Sequence, residues 1–196
     1  MIIKKNDCGS LEIAKDVLKK GGIVILPTDT VYGFSGLVDC ADFFQKTDEV
    51  INLIKKSPEN KPLIQLISKP EDIKKYTDEE IPDEILKKWP GALTIIVKIK
   101  QNAPKYEELP SVAFRCPGDE WLRKLIEECE SPIFSTSVNR SGNPVLDEIS
   151  AIQNEFSKDV DLIIDDGDKK NALPSTLISL ENGKIKILRQ GSVKIE

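Results

Sequence analysis

Residues 131–144 read SPIFSTSVNRSGNP. The apolar start, Ile133 and Phe134, runs directly into Ser135, Thr136 and Ser137. Asn139, Arg140, Ser141 and Gly142 follow. Ile-Phe-Ser-Thr is the end of a buried strand. The small polar residues after it form a turn that brings backbone amides and side-chain donors close to a ligand. In an open α/β sheet, ligands sit where strands end in such loops. Taken alone, the stretch is equally an ordinary Ser/Asn/Gly turn, so the rest of the chain decides its meaning.

A second strand ends in the same way. Ile23-Val24-Ile25-Leu26 is a continuous apolar run of strand length, and Pro27-Thr28-Asp29-Thr30 stops it with polar groups. Further strands are expected at 63–67, 93–100, 112–115, 160–164, from 174 onward, and at 185–189, with an Asn182-Gly183 hairpin signal before the last. Helices are expected at 10–20 (capped by Ser10 and stopped by Gly21), 42–56, 120–128 and 149–156, with shorter ones at 70–75 and 82–88. Strands and helices mix throughout, without repeat or linker. The expectation is a single α/β domain over 1–196, a large mixed sheet flanked by helices.

Composition narrows the function. The chain has 196 residues, 39% hydrophobic and 31% charged, with a net charge of −5. These are the values of a soluble globular domain without an overall cationic field for nucleic acid. Local basic patches remain at Arg115, Arg140 and Arg189. No apolar run reaches the roughly 20 residues of a membrane span, and no secretory signal opens the chain, so a cytoplasmic location without membrane partners is expected. The chain has no histidine, which removes a Ser-His triad and imidazole metal ligands. Its four cysteines are far apart, without a Cys-x-x-Cys pair, so no protein-bound metal site is expected. Cys116 follows Arg115, which makes it a candidate for a lowered thiol pKa.

Polar groups recur at strand ends: Thr28, Thr30, Lys55, Lys61, Arg115, Ser135, Ser137, Asn139, Ser175, Thr176 and Arg189. Cations among hydroxyl and amide donors suit an anionic ligand such as a phosphate or carboxylate. Neither the P-loop pattern nor the dinucleotide G-x-G-x-x-G is present. The Asp165-Asp166-Gly167-Asp168 cluster reads as a solvated turn rather than a Mg²⁺ site.

Together these loops resemble the YrdC-like family, whose best understood members make threonylcarbamoyl-adenylate. The matching stretches are GGIVILPTDTVYGFSG (21–36), IKKSPENKPLIQLIS (54–68), WPGALTIIVK (89–98), SVAFRCPG (111–118), SPIFSTSVNRSGNP (131–144) and PSTLISLENGKIKILRQGSV (174–193), in the family's order. The resemblance implies a twisted sheet with a concave, positively charged ligand surface. It implies a reaction in which L-threonine, bicarbonate and ATP, with Mg²⁺ arriving on ATP, give threonylcarbamoyl-AMP and pyrophosphate. The product then passes to a separate tRNA threonylcarbamoyl transferase that modifies adenosine 37 (the t6A modification). By position, Thr30, Arg115 and Ser175 would hold threonine. Lys55, Lys61, Ser111, Ser137, Asn139 and Arg189 would hold ATP.

Three positions depart from the family pattern. Its Lys-x-Arg motif reads Lys55-Lys56-Ser57, a frequent histidine falls at Leu66, and a hydroxyl falls at Asp147. They favour an alternative reading, a diverged relative that binds nucleotide or RNA, including tRNA, with weak or no synthase activity.

Overall fold

The computed structural model describes residues 1–38, 46–57, 62–101, 109–181 and 184–195. Its strands are β1 (Ile2–Lys4), β2 (Val24–Leu26), β3 (Gly33–Ser35), β4 (Ile64–Leu66), β5 (Leu93–Lys98), β6 (Ser111–Arg115), β7 (Ile133–Ser137), β8 (Leu162–Asp165), β9 (Thr176–Glu181) and β10 (Lys184–Arg189). All belong to one sheet in the order β1-β8-β2-β3-β7-β4-β6-β5-β9-β10. The sheet is mixed. β8 runs parallel to β1 and β2, β4 to β6, and β5 to β9, while the other neighbours are antiparallel. This is the large mixed α/β sheet that the sequence predicts.

Helices α1 (Ser10–Lys19), α2 (Thr47–Lys55), α3 (Asp83–Leu86), α4 (Glu120–Cys129) and α5 (Ile149–Phe156) flank it, with a 3-10 helix at Pro70–Lys75. Side-chain alternation along the strands decides what each helix covers. Val24, Leu26, Leu162 and Leu66 pack against Ala14 and Leu18 of α1 and Leu122, Leu125 and Ile126 of α4. Their neighbours Ile25, Ile163 and Phe34 pack against Ile51 of α2 and Ile152 and Phe156 of α5. A third cluster joins β5, β6 and β9 to Ile73, Ile85 and Trp89. Each such buried aliphatic side chain contributes about 1.5–3 kcal/mol by leaving water. Among the described residues no helix is long and apolar enough to cross a membrane.

Two short strands escape the sequence reading. β1 and β3 have three residues each and exist through their partners in the sheet. The expected Ser10 cap is also corrected. Gly9 occupies the cap position in a left-handed conformation (φ 79°), and the Ser10 hydroxyl donates instead to the Lys5 carbonyl at 2.5 Å. The expected start of the 42–56 helix and the expected Asn182-Gly183 turn lie outside the described residues; the flanking strands β9 and β10 pair antiparallel.

Candidate active site

β2 delivers the chain into the loop at residues 27–32. Proline ends the ladder, and Thr28 folds the loop on itself. The Thr28 hydroxyl accepts from the Thr30 amide at 3.0 Å and donates to the Val31 carbonyl at 2.8 Å. Below the loop, the Tyr32 hydroxyl donates to the Gly167 carbonyl at 2.7 Å and accepts from the Asp166 amide at 2.8 Å. The loop is therefore fixed from within and from underneath.

Arg115, the last residue of β6, is 5% exposed and meets this loop. Its Nη1 donates to Thr30 Oγ1 at 2.8 Å, its Nη2 to Asp29 Oδ1 at 2.6 Å, and its Nε to the Gly91 carbonyl at 3.0 Å. A guanidinium has five N–H donors, so among the described residues one on each terminal nitrogen stays without a partner. The pairing register, continued by one residue, sets Thr94 of β5 beside Arg115. Thr94 Oγ1 shares a hydrogen bond with Ser175 Oγ at 2.7 Å. Arg189, at the end of β10, donates to the Ser175 carbonyl (3.0 Å) and hydroxyl (3.2 Å). Burial, and then the neighbouring Arg115, pull the Arg189 guanidinium below its ordinary pKa. Among the described residues no carboxylate pairs with Arg189. An anion placed here would relieve the repulsion between the two cations.

The second group of residues lines the end of β7. Lys55, at the end of α2, is 2% exposed. Its ammonium donates to the Ser137 carbonyl, to the Asn139 carbonyl at 3.0 Å and to Asn139 Oδ1 at 2.7 Å. The Ser137 hydroxyl donates to the same Asn139 Oδ1 at 2.9 Å. Gly33 pairs with Ser137, so the loop after β2 and the loop after β7 adjoin across the sheet. A Cβ on Gly33 would meet Ser135 Oγ at 2.7 Å, so any larger residue there requires that hydroxyl to turn away.

The structure thus brings Thr30, Arg115, Ser175 and Arg189 into one cluster and Lys55, Ser137 and Asn139 into another. Ser111 stands at the opposite end of β6 from Arg115, about 13 Å along the strand. Continuing the register of β4 sets Pro62 between Ser111 and Ser137, so Ser111 belongs on the side of the second cluster. Lys61 lies outside the described residues.

Arg140 is not a free cation. It binds Glu155 at 2.8 Å and Asp159 at 2.7 Å and lies over the Phe156 ring at 4.5 Å, which fastens the loop to α5. Arg115 is not a free cation either, because Asp29 pairs with it. Cys116 is fully buried, and burial pushes its thiol pKa up to about 12. The reactive-thiol expectation is thereby corrected. Desolvation outweighs the charge nearby, which comes from Arg123.

The departures from pattern have structural consequences. Leu66 is 1% exposed and packs with Leu26 and Ile133, so the position is part of the apolar core. Ser57 Oγ is buried without a hydrogen-bond partner among the described residues. Sequence reasoning did not single out Asp29, Thr94 or the Gly91 carbonyl. Their contacts to Arg115 and Ser175 arise from strand adjacency that no local pattern reveals.

The comparisons match the family that the sequence resembles. The model of the Sua5/YciO/YrdC family, described as telomere recombination, matches residues 16–191. A provisionally named threonylcarbamoyl-AMP synthase of Methanocaldococcus jannaschii is 34% identical over 188 residues, covering 95% of this chain and 87% of the relative. The threonylcarbamoyl-AMP synthase of Pseudoalteromonas translucida is 28% identical over 187 residues, covering 92% and 98%. Among solved structures, Pyrococcus abyssi Sua5 complexed with L-threonine matches with a TM-score of 0.83 at 31% identity. That match covers 97% of this chain and 57% of the Sua5 chain, so this chain spans a little over half of that protein.

Proposed function

The chain belongs to the Sua5/YciO/YrdC family, and on that premise we propose that it is a threonylcarbamoyl-AMP synthase acting as one domain in the cytoplasm. It makes threonylcarbamoyl-adenylate and pyrophosphate from L-threonine, bicarbonate and ATP, and the product serves the t6A modification of tRNA adenosine 37 by a downstream transferase. The observation that carries this reading is the buried Arg115 guanidinium with two unused N–H donors, set beside Arg189, whose charge no carboxylate among the described residues neutralises.

Arg115 would take the threonine carboxylate through its free donors, a charge-assisted pair with fixed geometry. The Thr30 and Ser175 hydroxyls stand against Arg115 and Arg189 and would complete the amino-acid pocket. Ser135, whose hydroxyl lies over Gly33, extends the same wall. Arg189, Ser137, Asn139 and Ser111 would face ATP, and Lys55 would hold the Ser137–Asn139 turn in shape. Lys61 joins this set on the family pattern. Mg²⁺ enters as part of the ATP substrate. Among the described residues no three His, Cys, Asp or Glu side chains are arranged to hold a metal ion.

The chemistry needs no protein nucleophile. Bicarbonate gives carbon dioxide and hydroxide; the threonine ammonium loses one proton to solvent, its amine adds to the carbon dioxide, and a second proton passes to the hydroxide as water, leaving a carbamate. A carbamate oxygen then attacks the α-phosphorus of ATP, and the bond to pyrophosphate breaks. Positioning of the reactants and cationic stabilisation of the phosphates account for the acceleration.

The test is pyrophosphate release from ATP with threonine and bicarbonate omitted in turn. Release that depends on both is expected, and release that depends on neither removes the synthase reading. The apolar burial of Leu66 and the partnerless hydroxyl of Ser57 favour the second reading, a diverged relative that binds nucleotide or tRNA. It predicts tRNA binding at low salt that weakens as salt rises.

A further inference from the structure

We propose that Asp29 accepts the ammonium group of the amino-acid substrate, so that Asp29 and Arg115 together recognise a zwitterion. The inference rests on threonine being the ligand of Arg115.

Asp29 uses only one of its oxygens within the protein. Oδ1 receives the Arg115 Nη2 hydrogen at 2.6 Å, and Oδ2 has no hydrogen-bond partner among the described residues. The Asp29 side chain is 21% exposed, against 6% for that of Arg115, so the carboxylate is the more accessible end of the pair. Space for Oδ2 is kept by Gly118. A Cβ on that residue would meet Asp29 Oδ2 at 2.9 Å and Cγ at 3.3 Å. An ion pair with no further role needs neither a vacant acceptor nor that clearance.

The covalent geometry of an α-amino acid then does the rest. Its nitrogen lies about 2.5 Å from the carboxylate carbon. A carboxylate seated on the unused N–H groups of Arg115 carries its ammonium to the vicinity of the adjacent Asp29. The charges also balance. Arg115 and Asp29 form a neutral pair that binds a neutral zwitterion, and Arg189 keeps its positive charge for the phosphates.

The experiment uses the unliganded full chain and two probes, L-threonine and 3-hydroxybutyrate, which is threonine without its amine. Calorimetric titration of the wild type should show threonine binding at least about ten-fold more tightly, the value of one charge-assisted hydrogen bond. In Asp29→Asn, threonine affinity should fall by about that factor while the analogue, an anion relieved of a neighbouring carboxylate, binds no more weakly. In turnover, KM for threonine should rise with kcat held within about two-fold. Gly118→Ala, which presses on Oδ2 without touching Arg115 directly, should narrow the same ratio.

A variant that only loosened Arg115 would weaken both ligands equally, and that result overturns the proposal. Equal affinities in the wild type overturn it without any variant, while threonine binding itself stands. A wild type that binds no threonine overturns this inference and the proposed function together.

Discussion

The ammonium of Lys55 donates to the side-chain carbonyl of Asn139 at 2.7 Å, from a side chain only 2% exposed. Both backbone carbonyls of Ser137 and Asn139 accept from the same group. The lysine therefore shapes the turn. Lys55→Met should take this donor from both backbone carbonyls, leave Asn139 Oδ1 with the Ser137 hydroxyl alone, and destabilise the protein by about 3 kcal/mol. Urea denaturation checks the stability, and ATP titration should show weakened binding in step with it. Weakened ATP binding at unchanged stability would mean that the ammonium contacts the nucleotide directly.

Arg115 offers three donors to Thr30, Asp29 and Gly91 and keeps two. Lysine preserves the charge but has neither the fork nor the reach to all three partners. Arg115→Lys should lower threonine affinity about 100-fold, or roughly 2–3 kcal/mol. ATP affinity should change far less. Binding isotherms for the two substrates separate these effects, and equal losses for both would argue against Arg115 as the threonine anchor.

Helix α5 was legible to the residue, Ile149–Phe156, because an amphipathic pattern is local. The α4 start was legible for the same reason; in the structure Asp119 caps it, accepting from the Leu122 amide at 2.9 Å. β3 was not, because a Gly-Phe-Ser strand owes its conformation to β2 and β7 on either side. The site divides in the same way. Thr30, Arg115, Ser175 and Arg189 could be named as strand-end polar residues, but their meeting depends on β6, β5, β9 and β10 lying side by side. Asp29 was passed over as an acid in a site read for anions. Arg140 was counted as a loose cation because Glu155 and Asp159, its partners, are distant in sequence.

Ser57 stands just beyond the left-handed Lys56 (φ 52°) at the end of α2. Its hydroxyl is buried without a partner among the described residues, which is unfavourable wherever it occurs. Ser57→Ala should be neutral or stabilising by up to about 1 kcal/mol in thermal unfolding. Ser57→Arg restores the family's second cation beside the ATP wall and should raise pyrophosphate release. Unchanged release would indicate that Lys56 already fills the role.

Lys5 connects β1 to Asp119 at 2.5 Å and Asp166 at 3.3 Å. Burial acts to lower its pKa, but Asp119 and then Asp166 outweigh it, and the ammonium is held above its ordinary value. For Asp166, burial acts to raise the pKa, and Lys169 and Lys5 outweigh it in the other direction. A raised lysine stabilises the fold below its unfolded pKa of about 10.4 and loses that contribution as pH rises through the folded value. A lowered aspartate stabilises above about 3.9 and loses its contribution as pH falls through the folded value. Stability should therefore be flat between these limits and fall outside both. Lys5→Met should cost roughly 1–2 kcal/mol at pH 7. Denaturation across pH should show its gap from the wild type closing at both extremes, and a gap independent of pH would assign Lys5 a packing role alone.

Gly191 sits where the chain leaves β10 and turns back over the start of β9. Its amide donates to Thr176 Oγ1 at 2.9 Å, and that hydroxyl donates to the Val193 carbonyl at 2.7 Å. Directly before these residues come Arg189 and Ser175, joined by their own hydrogen bonds. A Cβ on Gly191 would meet the Pro174 carbonyl oxygen at 2.3 Å, the Thr176 nitrogen at 2.6 Å and the Ser175 carbonyl carbon at 2.7 Å. All three are backbone atoms, so no side chain can swing aside to relieve the contact. Gly191→Ala must separate the two segments that carry Ser175 and Arg189. We expect a loss of about 1–3 kcal/mol in stability, and threonine and ATP binding should both weaken, because the proposed function gives Ser175 to threonine and Arg189 to ATP. Leu173→Ala, at an exposed position in the same stretch, should change neither. Calorimetry of both ligands on the two variants tests this, and a Gly191→Ala protein that binds threonine normally would show that the amino-acid pocket does not depend on the junction of β9 and β10.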